Sequence, residues 1–550
     1  MKLLKTILSP MFLLYSTLVL ILYAGTYGQL WRNYTVAPEQ FFYYGGEEYP
    51  LDLSLNIAHI RQGYEGNWRA FFNLTTVYPH QPSILKFEYI LIGKMASLLS
   101  LDPVDALALS RFIISVFWFL FIYLFVRSLF SKWWQQFLAF VFILFGASIT
   151  EPGGQSFVHA AVFDAQVLFR LTIAMPHYLL GGLTAFVSLF CFSLALKSKR
   201  SMAWFILAVL SGSWSALVYG PTIILILGSI PLFLLFRFYV YHTHNLSRQE
   251  WIKTLLFSIV YGMFLTLPIL YVRFVVAIEW QTLNLSTHVE KLNPFRRSFI
   301  EYFYSIGVLY ILSWFSLPKI LKKTHPFFQL IWGWVLLHPL LIFFLAEKID
   351  LNPIRFYLMP YYVVFGILGT VGIEVLGMFA ARISKSLKPI LIGILFLLVV
   401  IPSMFTMYVA FKRFEVCFCI APYLDYGYPP QDVKKGFQWL DEHTKNTEVV
   451  LSDTFAGTLL PSFAGNLVYT SWWFRLSEDP HYYDKEEELN LFFSGIYTDD
   501  YARVFLKKNN IAYVFYGPQE RDISPWKGEP LYKVLEEVAR FGSVVIYRVK

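Results

Sequence analysis

The chain has 550 residues, a net charge of +8, 57% hydrophobic residues and only 15% charged ones, with a mean hydropathy of +0.52. That composition excludes a soluble globular enzyme and indicates a polytopic membrane protein. It also argues against nucleic acid as a partner, because the charge is split: residues 412–550 hold 16 Lys and Arg against 20 Asp and Glu, net −4, and residues 1–411 hold 29 against 17, net +12.

A membrane-spanning helix needs about 20 mainly apolar residues. About eleven segments qualify: 10–27, 107–130, 134–150, 171–196, 202–218, 221–240, 251–273, 299–317, 327–346, 356–380 and 389–411. The first lacks a small-residue cleavage site and reads as a retained anchor. Lys and Arg fall in alternate short loops: Lys2 and Lys5; Arg127 and Lys132; Lys197, Lys199 and Arg200; Arg237, Arg248 and Lys253; Lys319, Lys322 and Lys323; Arg382, Lys385 and Lys388. The positive-inside rule then predicts a multi-pass protein of the plasma or inner membrane with a cytoplasmic amino terminus. The carboxyl end and the loops 28–106, 151–170 and 274–298 are expected outside. Two domains are predicted: a transmembrane domain over 1–411 with a large first outer loop at 28–106, and an extracytoplasmic α/β domain over 412–550.

Within the first outer loop, residues 52–60 predict a short amphipathic helix, with Leu53, Asn56, Ile57 and Ile60 on one face. Such a helix is expected to lie flat at the interface, ended by Gly63 and Gly66, with Trp68, Phe71 and Phe72 as interfacial anchors. Asp52 stands at its start, after Glu47 and Glu48, and His59 and Arg61 at its end. Taken alone, Asp52 also fits the commonest job of Asp at a helix start, an N-terminal cap.

The tail alternates helical and strand patterns. Helices are predicted at 432–444, 484–493, 499–508 and 531–540, and strands at 448–452, 466–470, 511–516 and 543–549. Apolar strands alternating with helices imply a small sheet covered on both faces. The tail has neither a GxGxxG nor a GxxxxGK[ST] motif, so nothing in it suggests a nucleotide site. Cys191, Cys417 and Cys419 form no disulfide framework and read as structural.

Ionisable residues expected near the outer membrane face are Asp52, His80, Lys86, Glu88, Glu151, Asp164, Arg170, His177, Arg273, Arg296, Arg297 and Arg355. Each has an ordinary explanation, such as a helix cap for His177 or a snorkelling side chain for Arg355. Jointly, carboxylates facing several cations suit a substrate with a lipid tail and a phosphate.

Asp52, the run 60–68 (IRQGYEGNW), Pro79-His80, Gly93-Lys94, Pro176-His177, the run 352–360 (NPIRFYLMP) and the tail segments 460–469 and 513–518 together resemble the GT-C superfamily of membrane glycosyltransferases. Bacterial GT-C-like proteins are the most similar group. The chain departs from their pattern in having Tyr78 where Glu is usual and Asn56 where Tyr is usual.

The resemblance implies an α-helical polytopic fold of GT-C type with about eleven spans plus a C-terminal α/β domain. It also implies an inverting transfer of a hexosyl or pentosyl group from a polyprenyl-phosphate-linked sugar to an acceptor hydroxyl on the extracytoplasmic face. Asp52 matches the catalytic base. Arg355, His177, Lys86 and His80 are the candidates for the donor phosphate, and Asp164 and Glu48 for a second acidic residue. One base suffices, because a polyprenyl phosphate leaves as a stable anion where a glycosidase's alkoxide must be protonated. Membrane lipid and an acceptor glycan, lipid or protein of the cell envelope are the implied partners. The resemblance leaves a divalent cation open, with Glu47, Glu48, Asp52 and Asp164 as hard oxygen donors.

A flippase or transporter of lipid-linked glycans is the alternative. Against it stand the absence of an internal repeat of span lengths and the gathering of charge at outer span ends instead of the midplane. A non-catalytic scaffold presenting the tail is a third reading, against which Asp52 weighs.

Overall fold

The computed structural model describes residues 9–45, 50–77, 81–146, 175–243, 246–276, 298–322, 325–357, 360–413, 428–472, 480–523, 528–529 and 532–550. In chain order the membrane-type and first-loop helices are α1 (Pro10–Val36), α2 (Pro50–Tyr64), α3 (Phe87–Leu99), α4 (Pro103–Leu129), α5 (Trp133–Phe145), α6 (Pro176–Lys197), α7 (Ser201–Thr243), α8 (Arg248–Tyr271), α9 (Phe299–Ile306), α10 (Val308–Trp314), α11 (Leu317–Lys322), α12 (Pro326–Leu340), α13 (Ile354–Tyr357), α14 (Tyr361–Ile383) and α15 (Leu387–Arg413). The tail adds α16 (Gln431–His443), β1 (Val449–Leu451), α17 (Thr454–Phe463), β2 (Leu467–Val468), α18 (Pro480–Phe493), α19 (Asp499–Lys508), β3 (Ile511–Tyr516), α20 (Pro518–Ile523), β4 (Leu535–Phe541) and β5 (Val544–Val549).

The chain divides into two compact units, one of residues 1–29, 111–271 and 294–414 and the other of residues 30–110, 272–293 and 415–550. In the helical unit and its flanks, α1, α4, α6, α7, α8, α12 and α14 are the seven described helices long and apolar enough to cross a membrane, and α5 and the Leu387–Pro402 part of α15 are shorter apolar stretches.

Two predicted spans are joined end to end across a kink, and two more take a different form. The segments 202–218 and 221–240 are the two halves of α7, divided where they were predicted to part by a break at Tyr219 (φ −150°, ψ 81°) just before Pro221, because proline removes a helix hydrogen bond and crowds the preceding turn. The segment 299–317 is divided into α9 and α10 at Gly307, whose φ of 75° few side chains tolerate. Segment 134–150 appears as α5, 13 residues long, and 147–150 lie outside the described residues.

Aromatic rings fill the interior of this unit. Trp334 lies 5.8 Å from Phe186, and Phe125 lies edge-on to Phe327 at 4.7 Å. Small residues allow close backbone approach: a Cβ on Gly372 of α14 would sit 1.9 Å from the Leu312 carbonyl of α10.

In the other unit, the five-stranded sheet has the order β2-β1-β3-β5-β4. β1 is parallel to β2 and β3, whereas β5 is antiparallel to β3 and β4. One face is covered by Leu489, Phe492 and Phe493 of α18 with Phe505 and Leu506 of α19. On the other face, Phe437 of α16 packs against Phe515 of β3 at 5.2 Å.

The predicted helix at 531–540 is instead the edge strand β4, turned into β5 at Gly542 (φ 52°). Its exposed face carries charges paired at close range, Glu537 with Arg540 and Glu536 with Arg548 across the hairpin. The i,i+3 spacing of charge on a solvated strand imitates a helix surface. Helix α17 was not anticipated; Asp453 caps it by accepting from the Ala456 N–H at 2.8 Å.

Candidate functional site

In the sheet-bearing unit, α2 is the best-anchored element of the first loop. The predicted apolar face is buried, with Leu53, Ile57 and Ile60 at 0–1% exposure, but burial runs almost all round, because Ser54, Ala58 and His59 are also at 0%. The helix is therefore enclosed by protein on both sides, unlike the flat interfacial helix its one-sided apolar pattern predicts. Trp68 is exposed, with the Lys94 ammonium 4.8 Å from its ring.

Each residue of the IRQG run has a distinct mechanical job. Arg61 donates through Nε to Glu65 at 2.7 Å, through Nη1 to the Phe463 carbonyl at 2.8 Å, and through Nη2 to Asp441, so α2 is clamped to α16 and α17. Gln62 holds Phe71 by both amide groups at 2.9 Å, donating to its carbonyl and accepting from its N–H. Gly63 crosses α3 where a Cβ would come 2.2 Å from the Ile90 carbonyl, and Gly93 of α3 returns the contact, 1.9 Å from the Ile60 carbonyl. Further ties are the Ser462 hydroxyl to the Ser54 carbonyl at 2.5 Å and the Ser471 hydroxyl to the Leu74 carbonyl at 2.7 Å.

Asp52 lies in the first turn of this braced helix and is partly buried. Since α2 begins at Pro50, Asp52 is inside the helix and not at its cap. Asn56 and His59 follow at i+4 and i+7, on the same face.

Lys86 precedes α3 in the left-handed region, at φ 65°. A non-glycine side chain held there carries about 1–2 kcal/mol of strain. Its ammonium influences two neighbours. His59 is pushed down to about 3, by burial first and by Lys86 second. Glu88, buried at 4% exposure, is pushed up to about 7 by burial, with Lys86 opposing the rise. Glu88 stood among the charged residues of the outer face but was not singled out; its burial next to a lysine is what distinguishes it, and that is a tertiary feature.

In the helical unit, His177 and Arg355 come together through Tyr219, a residue that the sequence alone did not mark. His177 opens α6 behind Pro176 and is buried at 7% exposure, with its ring 4.2 Å from that of Tyr178 and 6.1 Å from that of Tyr219. The Tyr219 hydroxyl, at the break of α7, donates to the Arg355 carbonyl at 2.6 Å. His338 fixes the next residue: its Nε2 donates to the Phe356 carbonyl at 3.0 Å, which leaves Nδ1 to accept from the Tyr302 hydroxyl at 2.9 Å. Pro360 seats against Gly182, where a Cβ would be 2.9 Å from the proline ring. The NPIRFYLMP segment is thus held by three different helices, and Arg355 is its one charged residue.

His80, Asp164 and Glu48 lie outside the described residues. Among the described residues no group of three or more His, Cys, Asp or Glu gathers in a way that could hold a metal ion.

No family model matches the sequence, and no curated protein matches it significantly. Solved structures do. The oligosaccharyltransferase of Archaeoglobus fulgidus in its apo form superposes with a TM-score of 0.55 at 13% identity, covering 91% of this chain and 69% of that one. The same enzyme, AglB, in complex with an inhibitory peptide and a dolichol-phosphate gives 0.54 at 14% identity over 91% and 69%. ArnT from Cupriavidus metallidurans in the apo state gives 0.47 at 11% identity over 97% of each chain. The chain shares the fold of the Archaeoglobus fulgidus oligosaccharyltransferase.

Proposed function

We propose that the protein is an inverting glycosyltransferase that moves a sugar from a polyprenyl-phosphate donor to an acceptor hydroxyl at the outer membrane face. The observation that carries this reading is the bracing of α2, which holds one carboxylate, Asp52, in the first turn of a helix anchored along its length. The fold shared with an oligosaccharyltransferase that binds dolichol-phosphate supports the class of donor.

In the reaction, the acceptor oxygen attacks the anomeric carbon as Asp52 takes its proton. The bond from that carbon to the phosphate oxygen breaks, and the electron pair leaves with the lipid phosphate. Neither redox chemistry nor a second proton donor is needed, because the leaving group is already a stable anion. Arg355 suits the phosphate best: a guanidinium stays charged and grips two oxygens in a fork, and its backbone is fixed by Tyr219 and its neighbour's by His338. His177, Lys86 and His80 are the further cations of the phosphate seat, and Asp164 and Glu48 the further carboxylates.

The test is to reconstitute the protein in vesicles with a panel of polyprenyl-phosphate sugars and to follow free lipid phosphate. Transfer releases the lipid phosphate from one member of the panel. Movement of an intact lipid-linked sugar between leaflets, with no release, would show a flippase instead.

A further inference from the structure

The helical unit holds a cavity of about 230 Å³ that the proposed reaction does not use, lined by residues from the end of α4, the start of α5, and α11, α12 and α14. Its polar lining is Ser131, Lys132, Gln135, Lys319 and Glu374, and its apolar walls include Phe130, Ile320 and Phe328. It lies where the lysine-bearing loops are, the end that the positive-inside rule assigns to the cytoplasm.

Three observations give it the character of an anion seat. Glu374, with only 7% of its side chain exposed, pairs with two lysines, Lys319 and, at 3.4 Å, Lys132. One lysine neutralises the carboxylate and the second leaves a surplus of one positive charge. Gln135 is 5% exposed and lines the cavity, and its side-chain amide makes no hydrogen bond to another described residue, which leaves it to pair with a ligand. The amino terminus of the 13-residue helix α5 opens at the same point with no side chain capping it, so its first N–H groups and dipole favour an anion.

The surroundings identify the source of that anion. Trp133, the first residue of α5, is 69% exposed, and the Lys132 side chain is 57% exposed. An exposed tryptophan beside an exposed lysine at a span end is the signature of the headgroup layer. We propose that this cavity binds the phosphodiester of an anionic phospholipid, whose single negative charge equals the surplus. Lys132, the Gln135 amide and the α5 amino terminus hold the phosphate, and the glycerol backbone lies against Phe130 and Phe328.

Native mass spectrometry of the full chain in detergent, with phosphatidylglycerol or phosphatidylcholine added at equal concentration, tests this. Phosphatidylglycerol should be retained about tenfold more tightly than phosphatidylcholine, and Lys132→Gln and Gln135→Leu should each remove most of that preference. Both variants leave the Lys319–Glu374 pair in place, and a circular dichroism spectrum checks that they fold. Equal retention of the two lipids, or a preference that survives both substitutions, would overturn the proposal. A preference abolished by millimolar inorganic phosphate would overturn the lipid assignment and make free phosphate the ligand.

Discussion

Replacing Arg61 by alanine tests whether the first loop depends on its clamp. The guanidinium spans Glu65, Asp441 and the Phe463 carbonyl with its own side chain 10% exposed. A hydrogen bond to a charged group contributes about 1.5–3 kcal/mol. The three share one donor group, and Asp441 is 40% exposed and so partly relieved by water, which rules out a simple sum. Breaking a buried pair by removing one partner costs about 3 kcal/mol at the low end, equivalent to about a hundredfold in the population of docked α2.

Hydrogen exchange on the purified full chain reads this directly: amides of α2 should lose about a hundredfold of protection. An Arg61→Ala, Asp441→Ala double-mutant cycle should give a coupling above about 0.5 kcal/mol. Part of the loss should recover on acidification. Burial already raises the pKa values of Glu65 and Asp441 with Arg61 pulling them down, so without Arg61 they take up protons more readily and stop presenting stranded charge. Unchanged protection of α2 in Arg61→Ala would refute the reasoning.

Three further outcomes follow from the geometry. Gly93→Ala drives a methyl group to 1.9 Å from the Ile60 carbonyl and should lower the thermal midpoint by the equivalent of about 1–3 kcal/mol, while Gly28→Ala, with nothing within 4 Å, should leave it unchanged. Asp453 is raised to about 6 by burial, and its neighbour Glu520 is raised as well, by burial and by Asp453. Both protonate more easily folded than unfolded, so their contribution is full below about pH 4 and is lost as pH rises through about 6. Proteolysis of the tail should therefore quicken between those limits, and a flat profile would contradict the assignment. Tyr219→Phe removes the 2.6 Å bond to the Arg355 carbonyl, worth about 1 kcal/mol, and should reduce kcat/KM severalfold with the fold intact by circular dichroism.

Much of the architecture was legible because hydropathy and charge act locally. The long apolar runs became α1, α4, α6, α8, α12 and α14, and the helix predicted at 499–508 is α19, residue for residue. Missing elements had distant causes. Strand β4 takes its form from pairing with β5, and its own sequence of alternating charge fits a helix equally well. Local pattern could not disclose that Arg61 meets Asp441, 380 residues away, although the glycines at 63 and 93 were visible as motif positions and proved to be where α2 and α3 cross in close contact. The candidate site was legible as residue types. The roles of Tyr219 and His338 were not, because each depends on a partner remote in sequence, and that of Glu88 was not, because tertiary packing buries it beside its sequence neighbour Lys86.

The central claim is that Asp52 removes the acceptor's proton, and turnover by Asp52→Asn tests it most directly. With the donor identified from the panel, release of lipid phosphate by the reconstituted variant should fall about 10²–10⁴-fold, the usual contribution of a general base, while donor binding and the hydrogen-exchange protection of α2 stay at the level of the parent protein. Turnover equal to that of the parent, with α2 still protected, would contradict the account.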